Sequence, residues 1–137
     1  MGRLEIFYRA LVVLVVVQLV YGLCWAGHDI SARLGLWTDP AQAEAFIGSL
    51  GIVQETLFFS HVAMNAVVLV LVLQSRWWAL PAFILSFLLD RSEWVMMGGN
   101  TLFSSMVAVD VWALFSFTLQ GAIIAFLVIL VFEGRLR

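Results

Sequence analysis

Four long apolar stretches take up most of this 137-residue chain, and all six tryptophans fall at their ends or in the loop between them. Amphipathic indoles prefer the headgroup layer of a bilayer. Trp25, Trp94 and Trp112 therefore mark one membrane face, with Trp37 in the adjoining loop, and Trp77 and Trp78 mark the other. A chain that is 64% hydrophobic and 12% charged carries more apolar surface than a water-soluble domain of this size can hide. Hydrocarbon about 30 Å thick needs on the order of 20 helical residues per crossing. The sequence thus predicts an all-α membrane protein forming a single transmembrane domain over residues 1–137, a bundle of four spans near 7–26, 52–74, 77–97 and 107–132. Residues 27–51 are left as an outer loop with a short interfacial helix.

The first apolar run looks at first like a signal peptide. Tyr21-Gly22-Leu23 before Cys24 lacks the small residue that a lipoprotein cleavage site needs, so a retained first helix is expected. In the loop, Asp39 can cap a helix, Pro40 suits its first position and Gln42 can close a capping box, which predicts a helix from Pro40 to about Ile47. Arg3, Arg9, Arg76, Arg135 and Arg137 share one side if both termini are cytoplasmic, whereas the other side's loops hold only Arg33. Asp29, Asp39 and Glu44 then lie in the outer loop. The predicted location is a bacterial inner membrane with N and C termini inside.

Polar residues within the hydrocarbon are costly and are functional-site candidates until explained. Here they crowd the outer leaflet: Glu55, His61, Asp90, Arg91, Glu93 and Asp110, with Gln18, Asn65 and Gln120 as a neutral layer near the midplane. Helical spacing aligns His61 with Asn65, Ser86 with Asp90 and Glu93, and Ser116 with Gln120. Arg91 is about 100° around the helix from Asp90, which directs it to Asp110 or Glu55 on a neighbouring helix. An outward-open pocket is the simplest packing of this set; a paired, snorkelling girdle is the alternative. Below it the helices are Leu, Val, Phe and Ile, which argues against a conduit built from one chain.

Cys24, His28, His61 and Met64 supply donors that suit Cu(I), and His28 with His61 could hold a haem, although the same residue types are ordinary helix filler. The segment Gly98-Gly99-Asn100-Thr101-Leu102-Phe103-Ser104-Ser105 resembles the third-helix segment of the small four-helix fluoride channels. That resemblance implies a broken membrane helix with Thr101, Phe103 and Ser104 along an anion path and Asn65 as a pore asparagine. The chain departs from the family in lacking its paired glycines and arginine in helix one and the glycine after Asn65. A Gly-Gly-Asn turn before a hydroxyl-rich helix start accounts for the same residues by local backbone chemistry.

No nucleophile triad, zinc motif, phosphate loop or paired carboxylates with a recognisable spacing is present, which disfavours an enzyme, although Asp90 or Glu93 with His61 could serve as acid and base. The formal charge of −2 gives no reason to expect nucleic acid. No cofactor is named by the residues. The functional expectation is a non-catalytic membrane subunit surrounded by lipids and docked to other membrane proteins or to copies of itself. A small homo-oligomeric transporter or ion channel is the alternative, as is an outward pocket for a quinone, lipid or pigment.

Overall fold

The computed structural model describes residues 2–106 and 109–137, and within them the chain is all helical. In order the helices are α1 (Arg3–Arg33), α2 (Pro40–Ser49), α3 (Ile52–Leu73), α4 (Ala79–Gly98), α5 (Thr101–Met106) and α6 (Val109–Phe132). The predicted start of the last helix at Val107 and Ala108 lies outside the described residues. Three helices among those described, α1, α3 and α6, are long and apolar enough to cross a membrane. The fourth long helix, α4, carries Asp90, Arg91 and Glu93 within its 20 residues and is not one of the three.

Helix α1 runs two turns past the span expected at 7–26, to Arg33. Its inward face simply continues, with Gly22, Ala26, Asp29 and Ala32 all buried, and Arg33 Nε bonds Asp29 Oδ2 at 3.2 Å one turn apart. Asp29 therefore belongs to the wall of the bundle and not to the outer loop, as its sequence position suggested. At 1.5 Å per residue the 31-residue helix is roughly 46 Å long, which exceeds the hydrocarbon thickness of about 30 Å. It ends at Gly35, whose φ of +69° permits the left-handed turn in which Leu36 N–H reaches back to Ser31 C=O at 2.9 Å.

The four long helices form a closed ring: α3 packs against α1 and α4, and α6 packs against α1 and α4. Each contributes an inward stripe at three- and four-residue spacing, and the stripes change character along their length. At one end the stripe is Leu11 and Val15, Val68 and Val72, Ala79 and Phe83, and Ile123, Leu127 and Leu130, every one at most 1% exposed. At the other end it is polar. Between apolar helices in lipid there is no hydrophobic gain from association, so the apolar half is held by close packing. At the polar end Gly22 lets α1 approach α3, because a Cβ there would stand 3.1 Å from Val62 Cγ2.

Helix α2 forms where the capping residues place it: Gln42 N–H donates to Asp39 Oδ1 at 3.1 Å and Pro40 opens the first turn. Its Ala43 and Phe46 pack against Ala32 of α1 and Met97 of α4, so it roofs the polar end of the bundle. At the apolar end the C-terminal segment is tied to the α3–α4 turn. Arg137 N–H donates to Ser75 C=O at 2.8 Å and Trp77 N–H to Arg137 C=O at 3.3 Å.

Replacing Phe83 by Ala removes a ring from the tightest part of the apolar half. Such a cavity costs about 3–5 kcal/mol, and a lowered midpoint of thermal unfolding in neutral detergent is the expected result; an unchanged midpoint would show that α4 is not packed inside the ring.

Candidate functional site

The polar half of the ring is a layered network. Gln18, Asn65, Ser86 and Gln120, one from each long helix, are all at most 1% exposed and form the layer next to the apolar half. Above them stand His61, Asp90 and Ser116, and beyond these Asp29, Gln54 and Glu93, again buried.

Hydrogen bonds direct the chemistry of His61. Its Nδ1 lies 3.1 Å from the Ser86 backbone carbonyl, which can only accept, so Nδ1 carries a proton. The Ser86 hydroxyl, 3.1 Å from the same Nδ1, donates onward to Asn65 Oδ1 at 2.9 Å, and Asn65 Nδ2 returns a hydrogen to His61 Nε2 at 3.2 Å. The loop is closed and every bond in it has one direction. It leaves Nε2 as an acceptor, with the Gln18 amide 3.5 Å away. Asp90 Oδ1 stands 3.4 Å from that same Nε2, so two lone-pair-bearing atoms converge with no hydrogen of the neutral ring between them.

Asp90 Oδ2 is satisfied from the other side. Arg91 Nε donates to it at 3.0 Å and Arg91 Nη2 also contacts it; Gln120 Nε2 donates at 2.9 Å and Ser116 Oγ lies at 3.4 Å. Arg91 Nη2 also donates to Ser116 Oγ at 2.8 Å. The guanidinium thus pairs with its own neighbour in sequence, and not with Asp110 or Glu55 as its helical angle suggested. The bend of a long side chain back over one residue closes that angle, and Ser116 of α6 holds it there. Glu55 is taken instead by Arg33, whose Nη2 reaches it at 2.8 Å.

His61 and Asp90 form the floor of a cavity of about 70 Å³ that continues toward the roof helix α2. On a measure by which one water needs about 10–15 Å³, it holds several waters or a small head group. Its walls carry the rings of Tyr21, Trp25, Phe46, Phe58, Phe59 and Trp94. Asp29, Glu55 and Glu93 face it as well. Gln54, which donates to the Met97 sulfur, lines it between Glu55 and Glu93.

Of the residues singled out in the sequence, His61, Asn65, Asp90, Arg91 and Gln120 are thus joined in one network, and Glu55 and Glu93 line the cavity above it. Asp110 is exposed in the first turn of α6 and stands apart. Asp29, Arg33 and Gln54 were not singled out, although the stripe of Gly22, Ala26 and Asp29 at four- and three-residue steps marks the first of these as inward.

The metal and channel expectations fare differently. Cys24 is exposed, Met64 is half-buried, and His28 packs its ring on Trp37 with centroids 4.6 Å apart. Among the described residues no three His, Cys, Asp or Glu side chains gather as a metal site. Within the segment that resembles the fluoride channels, Asn100 Oδ1 accepts from Leu102 N–H at 3.1 Å and its amide donates to Ser49 Oγ at 2.9 Å, the local capping chemistry of a turn. Thr101 is exposed, Asn65 is committed to His61 and Ser86, and the side chains of Phe103 and Ser104 lie outside the described residues. No family model matches the chain, and no curated protein or solved structure is similar to it.

Removing Asp90 alone leaves the Arg91 charge without its carboxylate inside the bundle. Asp90→Leu is expected to cost about 3 kcal/mol, and the double variant Asp90→Leu/Arg91→Leu to recover most of it in detergent unfolding. Equal losses in the single and double variants would mean that the pair is not coupled.

Proposed function

We propose that this chain is a four-span protein of a bacterial inner membrane, with both termini cytoplasmic and α4 as its remaining span, and that it binds a lipophilic small molecule in the outward-facing cavity. The supporting observation is the cavity's construction: aromatic walls lead down to His61 and to Oδ1 of Asp90, the oxygen that Arg91 does not take, and apolar packing closes the bundle beneath them. Aromatic walls with a few fixed polar groups are the usual build of a small-molecule site. The head group that suits the floor is one presenting hydrogens, because a donor there would bond Asp90 Oδ1. Among quinone, lipid and pigment ligands this favours those carrying hydroxyl or amino groups.

The charge carried by α4 is consistent with its spanning, since Asp90 and Arg91 neutralise each other and turn inward. A transport role gains less support, as Leu11, Val15, Val68, Phe83, Ile123 and Leu127 fill the opposite half. Docking to other membrane proteins is compatible with pocket binding, and exposed Val111, Leu114, Phe115 and Phe117 on α6 offer the apolar face for it.

Protein purified in neutral detergent and extracted with organic solvent is expected to release about one lipophile per chain, with His61→Leu releasing several-fold less while keeping its helix content. No retained lipophile, or equal retention by the variant, would refute pocket binding. Reporter fusions at each terminus should both read cytoplasmic; a terminus on the outer side would overturn the assigned orientation.

A further inference from the structure

We infer that the ligand of this cavity is an organic cation: an ammonium group on an aromatic or alkyl body. The inference rests on the pocket reading above and specifies the charge of its occupant.

Four carboxylates face the cavity, those of Asp29, Glu55, Asp90 and Glu93, and no arginine lines it. Two guanidinium groups approach from behind. Arg33 is shared between Asp29 and Glu55, and Arg91 is spent on Asp90. One negative charge of the Asp29–Glu55 pair is therefore uncompensated, and Glu93 has no guanidinium of its own. Glu93 is 8% exposed and forms no ion pair among the described residues; its hydrogen-bond neighbour is the neutral amide of Gln54. Asp29 is 7% exposed, and while its Oδ2 takes Arg33, its Oδ1 is buried without a partner. A buried acceptor left open is costly to keep, and a cation in the cavity offsets the charge that the carboxylate carries.

The walls answer to the same charge. Faces of Trp and Tyr attract a desolvated cation through the ring quadrupole, and rings from several elements around one space are the arrangement that recognises quaternary ammonium groups. Here Tyr21 and Trp25 come from α1, Phe46 from α2, Phe58 and Phe59 from α3, and Trp94 from α4. An anionic head group would meet four carboxylates with no cation in reach. A neutral one would leave the excess negative charge of the Asp29–Glu55 pair uncompensated. Asp90 Oδ1 at the floor is likewise suited to an N–H of a protonated amine.

The test compares two isosteres that differ by one charge, phenyltrimethylammonium and tert-butylbenzene. Each is titrated against the full chain in dodecyl maltoside, reading tryptophan fluorescence and correcting for micelle partitioning measured without protein. The cation is expected to bind about tenfold tighter, the discrimination that one desolvated cation contact supplies. Glu93→Gln with Asp29→Asn, which preserves side-chain shape, should lower that preference several-fold, and an undiminished preference would show that these carboxylates do not select the charge; circular dichroism verifies that the variant is folded. Equal binding of the two probes by the unaltered chain, or tighter binding of the neutral one, overturns the cation assignment and leaves a pocket for uncharged lipophiles. If neither probe is bound, the pocket reading fails and the cation with it.

Discussion

A carboxylate placed inside an apolar bundle has to be neutralised and hydrogen-bonded or the bundle opens, and Asp90 is where that requirement is met. One oxygen collects Arg91, Gln120 and Ser116, which ties α4 to α6. The other faces His61, and it is Ser86, bonded to His61 and Asn65, that ties α4 to α3. Because the Arg91 guanidinium also bonds Ser116, the charge pair fixes the register of two helices as well as its own orientation. The layer beneath follows from this placement: Gln18, Asn65, Ser86 and Gln120 are the uncharged partners that separate the ionised groups from pure hydrocarbon.

The division of the ring into a polar half and a packed apolar half sets what the molecule can do. Polar atoms lined up along one face of each helix would make a route from one side to the other. Here they stop at one layer, and Phe83, Ile123 and Leu127 take the positions where a route would continue. What remains is a cup. Its rim is built from α2, whose short amphipathic pattern turns Ala43 and Phe46 inward over Met97 and Ala32.

Much of this was legible from spacing alone. The alignment of His61 with Asn65, of Ser86 with Asp90 and Glu93, and of Ser116 with Gln120 follows from helix geometry, and all of these side chains are buried. The start of α2 follows from Asp39 and Pro40, whose capping chemistry is local. Choices that depend on side-chain reach were not legible. Arg91 has a long, flexible arm, and Ser116 on another helix decides where it lies. The continuation of α1 to Arg33 was hidden because Gly27 and His28 break the run of apolar residues, although the burial stripe passes unbroken through Ala26, Asp29 and Ala32. Asp29 was read as a loop residue for that reason alone.

The knot of backbone bonds between Arg137, Ser75 and Trp77 lies at the end of the bundle away from the cavity. Ser75 adopts a φ of 56° to make this turn, a left-handed conformation in a non-glycine residue, and Leu136 beside it is 2% exposed. Three of the four long helices are thereby pinned together at one end, by α3 and α4 through their turn and by α6 through the tail that follows it. With three helices fastened there and the apolar half packed above them, the side of the bundle opposite the cup offers an occupant no way in.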